Sequence, residues 1–483
     1  MSLPSVDWVP LLPLLAVTAT AVGVLVVDLF LEGPDREVLA WLSIFGLALA
    51  AILAAVLWGH PPEKTLGGSF AVDKYAVFFD LLFCAAGILA VLMAVDFLPT
   101  TSVRGGEYYS LVLFATSGMM TMAAATDLIV IFLGLEVMSV AVYVLAGVWR
   151  QEVRCNEAAL KYFLLGAFAT GFLLFGIALV YGATASTRLD TIAAQVSRQG
   201  PEGQAMLMLG IGLLIVGFGF KIAAVPFHVW TPDVYEGAPT SVTALMAVGV
   251  KAAAFSAFAR VLLETFAPAT AGWVSVLWWL AAATMTVGNV LAIVQSNIKR
   301  MLAYSSIAHA GYLLVAMVAG GREGGPALLF YLLAYAAMNL GAFGVVIALG
   351  RKGEANEEIE RYAGIGFRRP LLAMAMAAFL LSLAGVPPLA GFAGKFYVFR
   401  AAVDSGYVGL AVIGVLNSVV SAYYYIWVIV MMYMRDGDLE PPSLARRPYL
   451  ATTIAISLAA TVLLGVFPGL GFALAKGGFL SLG

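Results

Sequence analysis

Charge is scarce in this chain. Of its 483 residues only 11% are Asp, Glu, Lys or Arg, against about a quarter in ordinary soluble domains. A soluble fold of this length needs far more polar surface to cover itself. That excludes an ordinary cytoplasmic enzyme and a disordered chain. Neither sign is in excess: 26 Lys and Arg stand against 28 Asp and Glu, a formal charge of −2. A nucleic-acid binder would carry a basic surplus, and no global field steers an ionic partner. Cysteine is nearly absent. Cys84 and Cys155 make neither a disulfide framework nor a zinc-finger spacing, and three histidines are too few and too scattered for a metal cluster. No phosphate loop, dinucleotide glycine fingerprint, catalytic triad, or haem or iron–sulfur ligand spacing occurs. No cofactor is expected to bind this chain. What it has instead is apolar residues, 62% of the total, with a mean hydropathy of +0.97. The class expected is an all-α, polytopic integral membrane protein.

A membrane-spanning helix needs about 20 mostly apolar residues. The runs that qualify are 9–29, 38–58, 75–96, 107–125, 127–148, 157–182, 204–225, 238–263, 273–295, 301–319, 326–349, 370–400, 408–434 and 449–469. About 14 transmembrane helices are therefore expected. The first run has Asp7 and no Lys or Arg before it, so it reads as a span and not as a signal peptide. A barrel would alternate over segments of about 10 residues, and these runs do not.

Loop cations set an expected orientation. Odd-numbered loops carry Arg36, Arg104, Arg150, Arg154, Lys299, Arg300, Arg351, Lys352, Arg361, Arg368, Arg369, Arg435, Arg446 and Arg447. Even loops and the tail carry Lys64, Lys74, Arg188, Arg198, Arg260, Arg322, Arg400 and Lys476. The positive-inside rule then puts odd loops in the cytoplasm and both termini on the outer side.

Four cations remain inside apolar spans: Lys161, Lys221, Lys251 and Lys395. One clear acid, Glu136, joins them in the fifth span. A charge at the centre of a membrane helix costs about 2.5–3.5 kcal/mol even on the lenient insertion scale, so each needs a reason. Snorkelling to the interface accounts for Lys161 as well as function does, because it lies close to a span edge. Two spans also contain helix breakers. Pro226 follows Lys221 by five residues, and Pro387 and Pro388 precede Lys395. Non-helical backbone at membrane depth survives only where protein or a water-filled cavity surrounds it. Two broken spans, each with a lysine near the break and five spans apart, suggest an internal repeat with functional sites at the breaks. An odd number of spans per unit makes the repeat inverted. The expected division is residues 1–106 (three helices), 107–265 and 266–434 (two inverted five-helix repeats) and 435–483 (a C-terminal helix).

A lysine surrounded by hydrocarbon loses its charge more readily than one in water, and a nearby carboxylate restores it. Shifting that carboxylate releases the proton. Lysines in successive helices then form a relay, bridged by water and hydroxyls. Candidates for the gaps are His309 in the tenth span, His228 beside the Pro226 break, and Tyr423, Tyr424 and Tyr425 in the thirteenth. The residues thus point to a proton or ion conductor.

Two stretches carry a family resemblance: VPFHVWTPDVYEGAPTSVTALMAVGVK, residues 225–251, and NIKRMLAYSSIAHAGY, residues 297–312. They resemble the antiporter-like membrane subunits of respiratory complex I, which are similar to subunits of sodium/proton antiporters. The TPDVYEGAPT wording is similar to the subunit N branch of NADH-quinone oxidoreductase. The sister branches differ after the PFH-W core, and the middle sister has a glutamate where Lys395 stands. The resemblance covers essentially the whole chain. It implies fourteen helices with two inverted five-helix units. It also implies that Glu136 and Lys221 form a regulatory pair, that Lys161 and Lys251 continue the relay, and that Lys395 is the last site, facing outward. Its activity would be proton translocation coupled to NADH oxidation and quinone reduction. NADH, FMN, iron–sulfur clusters and quinone would then be held by other subunits. Partners implied are an antiporter-like sister subunit, small membrane subunits, the lipid bilayer and protons, with no nucleic acid. The membrane implied is the bacterial plasma (inner) membrane. Two alternatives stay open: a cation/proton antiporter subunit, and the ferredoxin-driven relative of photosynthetic membranes.

Overall fold

The computed structural model describes residues 7–31, 37–101, 103–196, 198, 200–350, 357–437 and 447–479. Four cations used for the orientation, Arg36, Arg351, Lys352 and Arg446, lie outside the described residues. The helices run, in chain order, α1 (Leu12–Asp28), α2 (Glu37–Leu57), α3 (Lys74–Phe97), α4 (Gly105–Ala124), α5 (Leu128–Ala146), α6 (Val153–Thr184), α7 (Leu189–Val196), α8 (Pro201–Ile222), α9 (Thr231–Gly237), α10 (Thr240–Leu245), α11 (Lys251–Ala259), α12 (Thr270–Ile293), α13 (Ile298–Ala319), α14 (Gly321–Leu349), α15 (Ile365–Arg368), α16 (Pro370–Ala384), α17 (Ala390–Asp404), α18 (Val408–Met434), α19 (Pro448–Val466) and α20 (Pro468–Phe479). Met246–Val250 and Arg260–Thr265 are π-helical, so α10 and α11 belong to one continuous span, Thr240–Thr265.

Among the described residues, twelve helical stretches are long and apolar enough to cross a membrane. Each coincides with one of the expected runs. The fourth run is α4, and the twelfth is realised as two halves, α16 and α17, on either side of Pro387 and Pro388. Short polar side chains start several helices. Asp73 accepts from the Ala76 amide at the head of α3 (2.7 Å), and Asp127 from Ile129 at the head of α5 (2.8 Å). These amides have no partner within the helix, so a cap stabilises each start by about 1 kcal/mol.

The helices sort by burial. Thr240–Thr265, α13, α14 and α3 are enclosed by others, whereas α1, α2, α6, α18 and α19 form the rim. Rim side chains such as Phe45, Phe168, Val419 and Leu463 are large, apolar and exposed, which suits lipid contact. Lipid offers no hydrophobic drive between helices, so small residues at crossings matter. Gly118 of α4 and Gly134 of α5 meet back to back, and a Cβ on Gly118 would stand 2.7 Å from the Gly134 carbonyl.

A short hairpin was among the elements not anticipated. Strands β1 (Glu63–Thr65) and β2 (Phe70–Val72) pair antiparallel, with Lys64 opposite Ala71. This hairpin sits beside the starts of α3, α5 and α7: Thr126 donates to the Ser69 carbonyl, and Arg188 to that of Gly67. It marks one end of the bundle, the hairpin end. The opposite end carries Asp96, Trp149, Gly237, Lys299, Gly350 and Arg447, which meet around one cavity.

Candidate functional site

The first break begins where α8 stops at Ile222. Ala223 takes a left-handed conformation (φ 62°) and ends the helix. Pro226 cannot donate to a helical ladder, so the chain stays open until α9. Trp230 closes the gap by donating its indole N–H to the Phe220 carbonyl (3.0 Å), and the Val225 amide donates to Thr284 Oγ1 (3.0 Å). Lys221, in the last turn of α8, is buried. Its Nζ donates to Ser139 Oγ (2.8 Å) and Tyr143 OH (3.0 Å) on α5. The ammonium also faces the rings of Tyr143 (5.0 Å) and Tyr162 (5.6 Å). Glu136 lies one turn before Ser139 on the same helix. It is half-buried and accepts from Thr170 Oγ1 of α6 at 3.0 Å. Among the described residues no ion pair joins Glu136 to Lys221. Glu136 and the two hydroxyls that hold Lys221 lie along one stripe of α5.

Lys161 takes a different place from the buried lysines. Its side chain is 40% exposed and paired with Glu157 and Asp233, both at 2.7 Å. Asp233 also receives Arg300 (2.7 Å), which reaches Glu236 (2.8 Å). Lys299, counted above as a loop cation, is buried. It bonds the carbonyls of Glu236 and Ala238 and pairs with Glu357 at 3.2 Å. These charges ring the end opposite the hairpin.

Lys251 opens α11, fully enclosed, and donates to both the carbonyl and the hydroxyl of Ser306 on α13. From there α13 presents Ser305, Ser306, His309 and Tyr312 along one face, the spacing a helix needs to align side chains. Tyr425 OH bonds Ser305 Oγ and His309 Nε2, the latter at 3.2 Å. His309 Nδ1 meets Tyr331 OH at 2.7 Å. In a neutral imidazole one nitrogen donates and the other accepts, so a change of tautomer reverses the direction of this chain. Tyr424 OH donates to Asn289 Oδ1 (2.9 Å), and Asn289 Nδ2 to Tyr312 OH (3.3 Å). The Tyr312 ring lies 4.8 Å below the Lys395 ammonium. Lys395 sits in the second turn of α17, after the second break. Its Nζ donates to Ser418 Oγ (2.8 Å) and to the Ala384 carbonyl (2.9 Å), which the end of α16 leaves free.

The structure thus gathers Lys251, His309, Tyr424 and Lys395 into one polar seam through the bundle. Lys221 and Glu136 lie against α5 and α6, and Lys161 stands apart near the surface. His228 is half-buried in the first break loop, its Nδ1 enclosed without a hydrogen-bond partner. Sequence reasoning missed the connecting side chains Ser139, Tyr143, Ser306, Tyr331, Asn289 and Ser418. It also counted one acid within the spans. A second, Asp80, is buried in α3, one and a half turns from its start. Arg260, read as a loop cation, is 1% exposed inside the span. It forms a two-pronged pair with Asp73 (3.0 and 3.1 Å) and donates to the Ala123 carbonyl. Among the described residues no group of three or more His, Cys, Asp or Glu gathers to hold a metal ion.

Comparison with known proteins gives one consistent result. Residues 125–421 match the family described as NADH:quinone oxidoreductase/Mrp antiporter, TM. NADH-quinone oxidoreductase subunit N of Trichlorobacter lovleyi is 49% identical over 95% of this chain and 94% of its own. The subunit N of Chloroflexus aggregans is 44% identical over 100% and 99%. Among solved structures, a chain of respiratory complex I from Thermus thermophilus with bound aureothin superposes with a TM-score of 0.80 at 38% identity, covering 96% of this chain and all of that one. A chain of the Mrp complex from Dietzia sp. shares the fold alone, with a TM-score of 0.84 at 22% identity.

Proposed function

The chain belongs to the subunit N family of NADH-quinone oxidoreductases, the antiporter-like membrane subunits of respiratory complex I, and from that premise we propose that its buried seam is the path protons take through it. NADH oxidation and quinone reduction occur in other subunits, which hold NADH, FMN, iron–sulfur clusters and quinone. This chain contributes no redox chemistry. It receives the energy through its neighbours, an antiporter-like sister subunit and small membrane subunits. Residues 107–265 and 266–434 form two inverted five-helix units, each with a broken helix. Both termini lie on the outer side of a bacterial plasma membrane.

In this reading Lys221 loads first, with Glu136 as the movable counter-charge. Lys251 receives the proton, the His309–Tyr425 group passes it on, and Lys395 discharges it outward. Lys161 and its ion pairs hold the cytoplasmic face together and gather protons there. His228 and Tyr424 line the route. The observation that carries the reading is the run of hydroxyl, imidazole and amide groups between Lys251 and Lys395, buried where an apolar seam would pack as well. Buried polar groups of this kind are costly unless satisfied, and both donor and acceptor capacity is what proton exchange requires.

The test uses the whole complex in sealed vesicles driven by NADH. Lys251→Ala and Lys395→Ala complexes assemble and lose most of the proton gradient, in sodium-free and sodium-containing buffer alike. Wild-type gradients in both variants, or a gradient that requires sodium, would overturn the proposal.

A further inference from the structure

A cavity of about 460 Å³ opens at the end of the bundle opposite the hairpin. Its wall includes Glu152, Glu236, Lys299 and Thr240, the first residue of α10. The side facing α14 is formed by Val346, Ile347 and Gly350. None of the residues proposed above for the seam lines it.

Following α14 inward from this wall gives a pattern the relay does not use. At 3.6 residues per turn, Tyr335, Asn339, Ala342, Val346 and Gly350 fall on one face of the helix. Asn339 is 1% exposed, and both its amide nitrogen and its amide oxygen lack a hydrogen-bond partner. The Tyr335 hydroxyl, one turn deeper and also fully buried, makes no well-formed hydrogen bond but lies within weak reach of both Asn339 and Ser306, the residue that holds Lys251. The Tyr335 ring is 5.7 Å from Lys251 Nζ. Between Asn339 and the cavity wall this face carries only the small side chain of Ala342. The helix that leads from Thr240 to Lys251 packs along α14.

Three polar atoms without a well-formed hydrogen bond in one enclosed place are rare, because each costs about 1–3 kcal/mol. A buried water makes about three hydrogen bonds to such atoms. Asn339 Oδ1, Asn339 Nδ2 and Tyr335 OH supply that number. We infer that Asn339 is a water-positioning residue, which together with Tyr335 connects the charged cavity to Lys251 along α14. This rests on the reading of Lys251 as a protonation site. A cavity water gives up a proton, the water held by Asn339 accepts it and releases another inward, and the uncharged Lys251 amine binds the arriving proton with its lone pair. The cavity water regains its proton from bulk solvent.

The experiment uses the intact complex in oriented vesicles. Asn339→Leu keeps the volume and removes the polar atoms, and NADH-driven pumping falls about tenfold, the worth of one well-placed hydrogen bond. Asn339→Ser, which leaves room for water and offers a hydroxyl, recovers most of the rate. A role in packing alone would give the opposite order. In a chain also carrying Cys84→Ala and Cys155→Ala, Asn339→Cys reacts with a small membrane-impermeant thiol reagent added at the cytoplasmic face and not at the outer face. Wild-type pumping by Asn339→Leu, or no labelling from the cytoplasmic face, overturns the inference. Lys251→Ala separates the two claims: normal pumping there refutes the proposed relay, while labelling still reports the water route.

Discussion

Lys221→Arg discriminates most sharply between a protonation site and a fixed charge. Arginine keeps the positive charge, and its planar donors can serve both Ser139 and Tyr143, which Lys221 now bonds at 2.8 and 3.0 Å. The surrounding rings of Tyr143 and Tyr162 accept a guanidinium over their faces as readily as an ammonium. Among the described residues no carboxylate is paired with Lys221, so the exchange breaks no ion pair there. Assembly is expected to survive. The proton does not. Guanidinium releases its proton only above about pH 12. That is at least about two pH units above an ordinary lysine, each worth about 1.4 kcal/mol. Any step in which site 221 gives up a proton therefore rises by at least about 3 kcal/mol and slows at least about 10²-fold. The assay is dye-reported proton transport in vesicles, normalised to the amount of assembled complex. Lys221→Met is the companion. It leaves the Ser139 and Tyr143 hydroxyls without their donor, at about 1–3 kcal/mol each, and loses both pumping and some stability. An assembled Lys221→Arg complex pumping at more than half the normal rate would refute the reasoning.

Glu136→Gln keeps an oxygen for Thr170, so the complex is expected to assemble normally while transport drops at least about tenfold; unchanged transport in the same vesicle assay would remove Glu136 from the mechanism. Arg260→Leu strands the Asp73 carboxylate and is expected to destabilise the subunit by about 3–5 kcal/mol, read as loss of the subunit from the detergent-solubilised complex on heating. Arg260→Met combined with Asp73→Asn should restore most of this, since asparagine still caps α3; equal loss in the double variant would show that the pair is not the cause. At the hairpin end, the Arg188 guanidinium, and beside it Lys64, holds the Asp190 carboxyl well below the usual carboxylate range. A depressed folded value means the contribution is present above the unfolded value of about 4 and fades as pH falls through the folded one. Hydrogen exchange of residues 63–72, corrected for intrinsic rates, should therefore be flat from about pH 5 to 8 and loosen only in strong acid; a change near neutrality would contradict it.

Much of the architecture was legible because lipid imposes length and composition together. The expected runs lie within a few residues of the helices, and both breaks stand where proline removes a backbone donor. The hairpin was not legible, since strands of three residues have no period to detect. Lys221, Lys251 and Lys395 announced themselves as charges in apolar runs. Their partners did not, because serine and tyrosine are ordinary in such runs and only packing shows that Ser306 and Tyr331 face inward. Arg260 and Lys299 were misplaced for a related reason. Each stands within two turns of a span end, where a cation reads as a surface residue, and neighbouring helices, not depth along the chain, bury it. Asp80 lies near the head of α3, and the helices packed around α3 enclose it. The resemblance implied Glu136 and Lys221 as a regulatory pair, and in the structure Lys221 bonds two hydroxyls of α5 on the turns beyond Glu136.

The two breaks share a consequence for how a charge is held without being trapped. Lys221 occupies the last turn of α8, and Lys395 points its ammonium at the final carbonyl of α16. The aligned peptide dipoles of a helix leave about half a negative charge at its C-terminal end. Such an end attracts a cation as a carboxylate does, yet it does not take the proton. Each lysine is thus steadied in part by a partial charge with no titration of its own. When the ammonium discharges, no acid forms beside it to hand the proton straight back. The partial charge is also fixed to the helix axis, so a small tilt of α8 or α16 changes the potential at the amine. On the proposed relay, mechanical movement of a broken helix would be converted directly into a change of proton affinity.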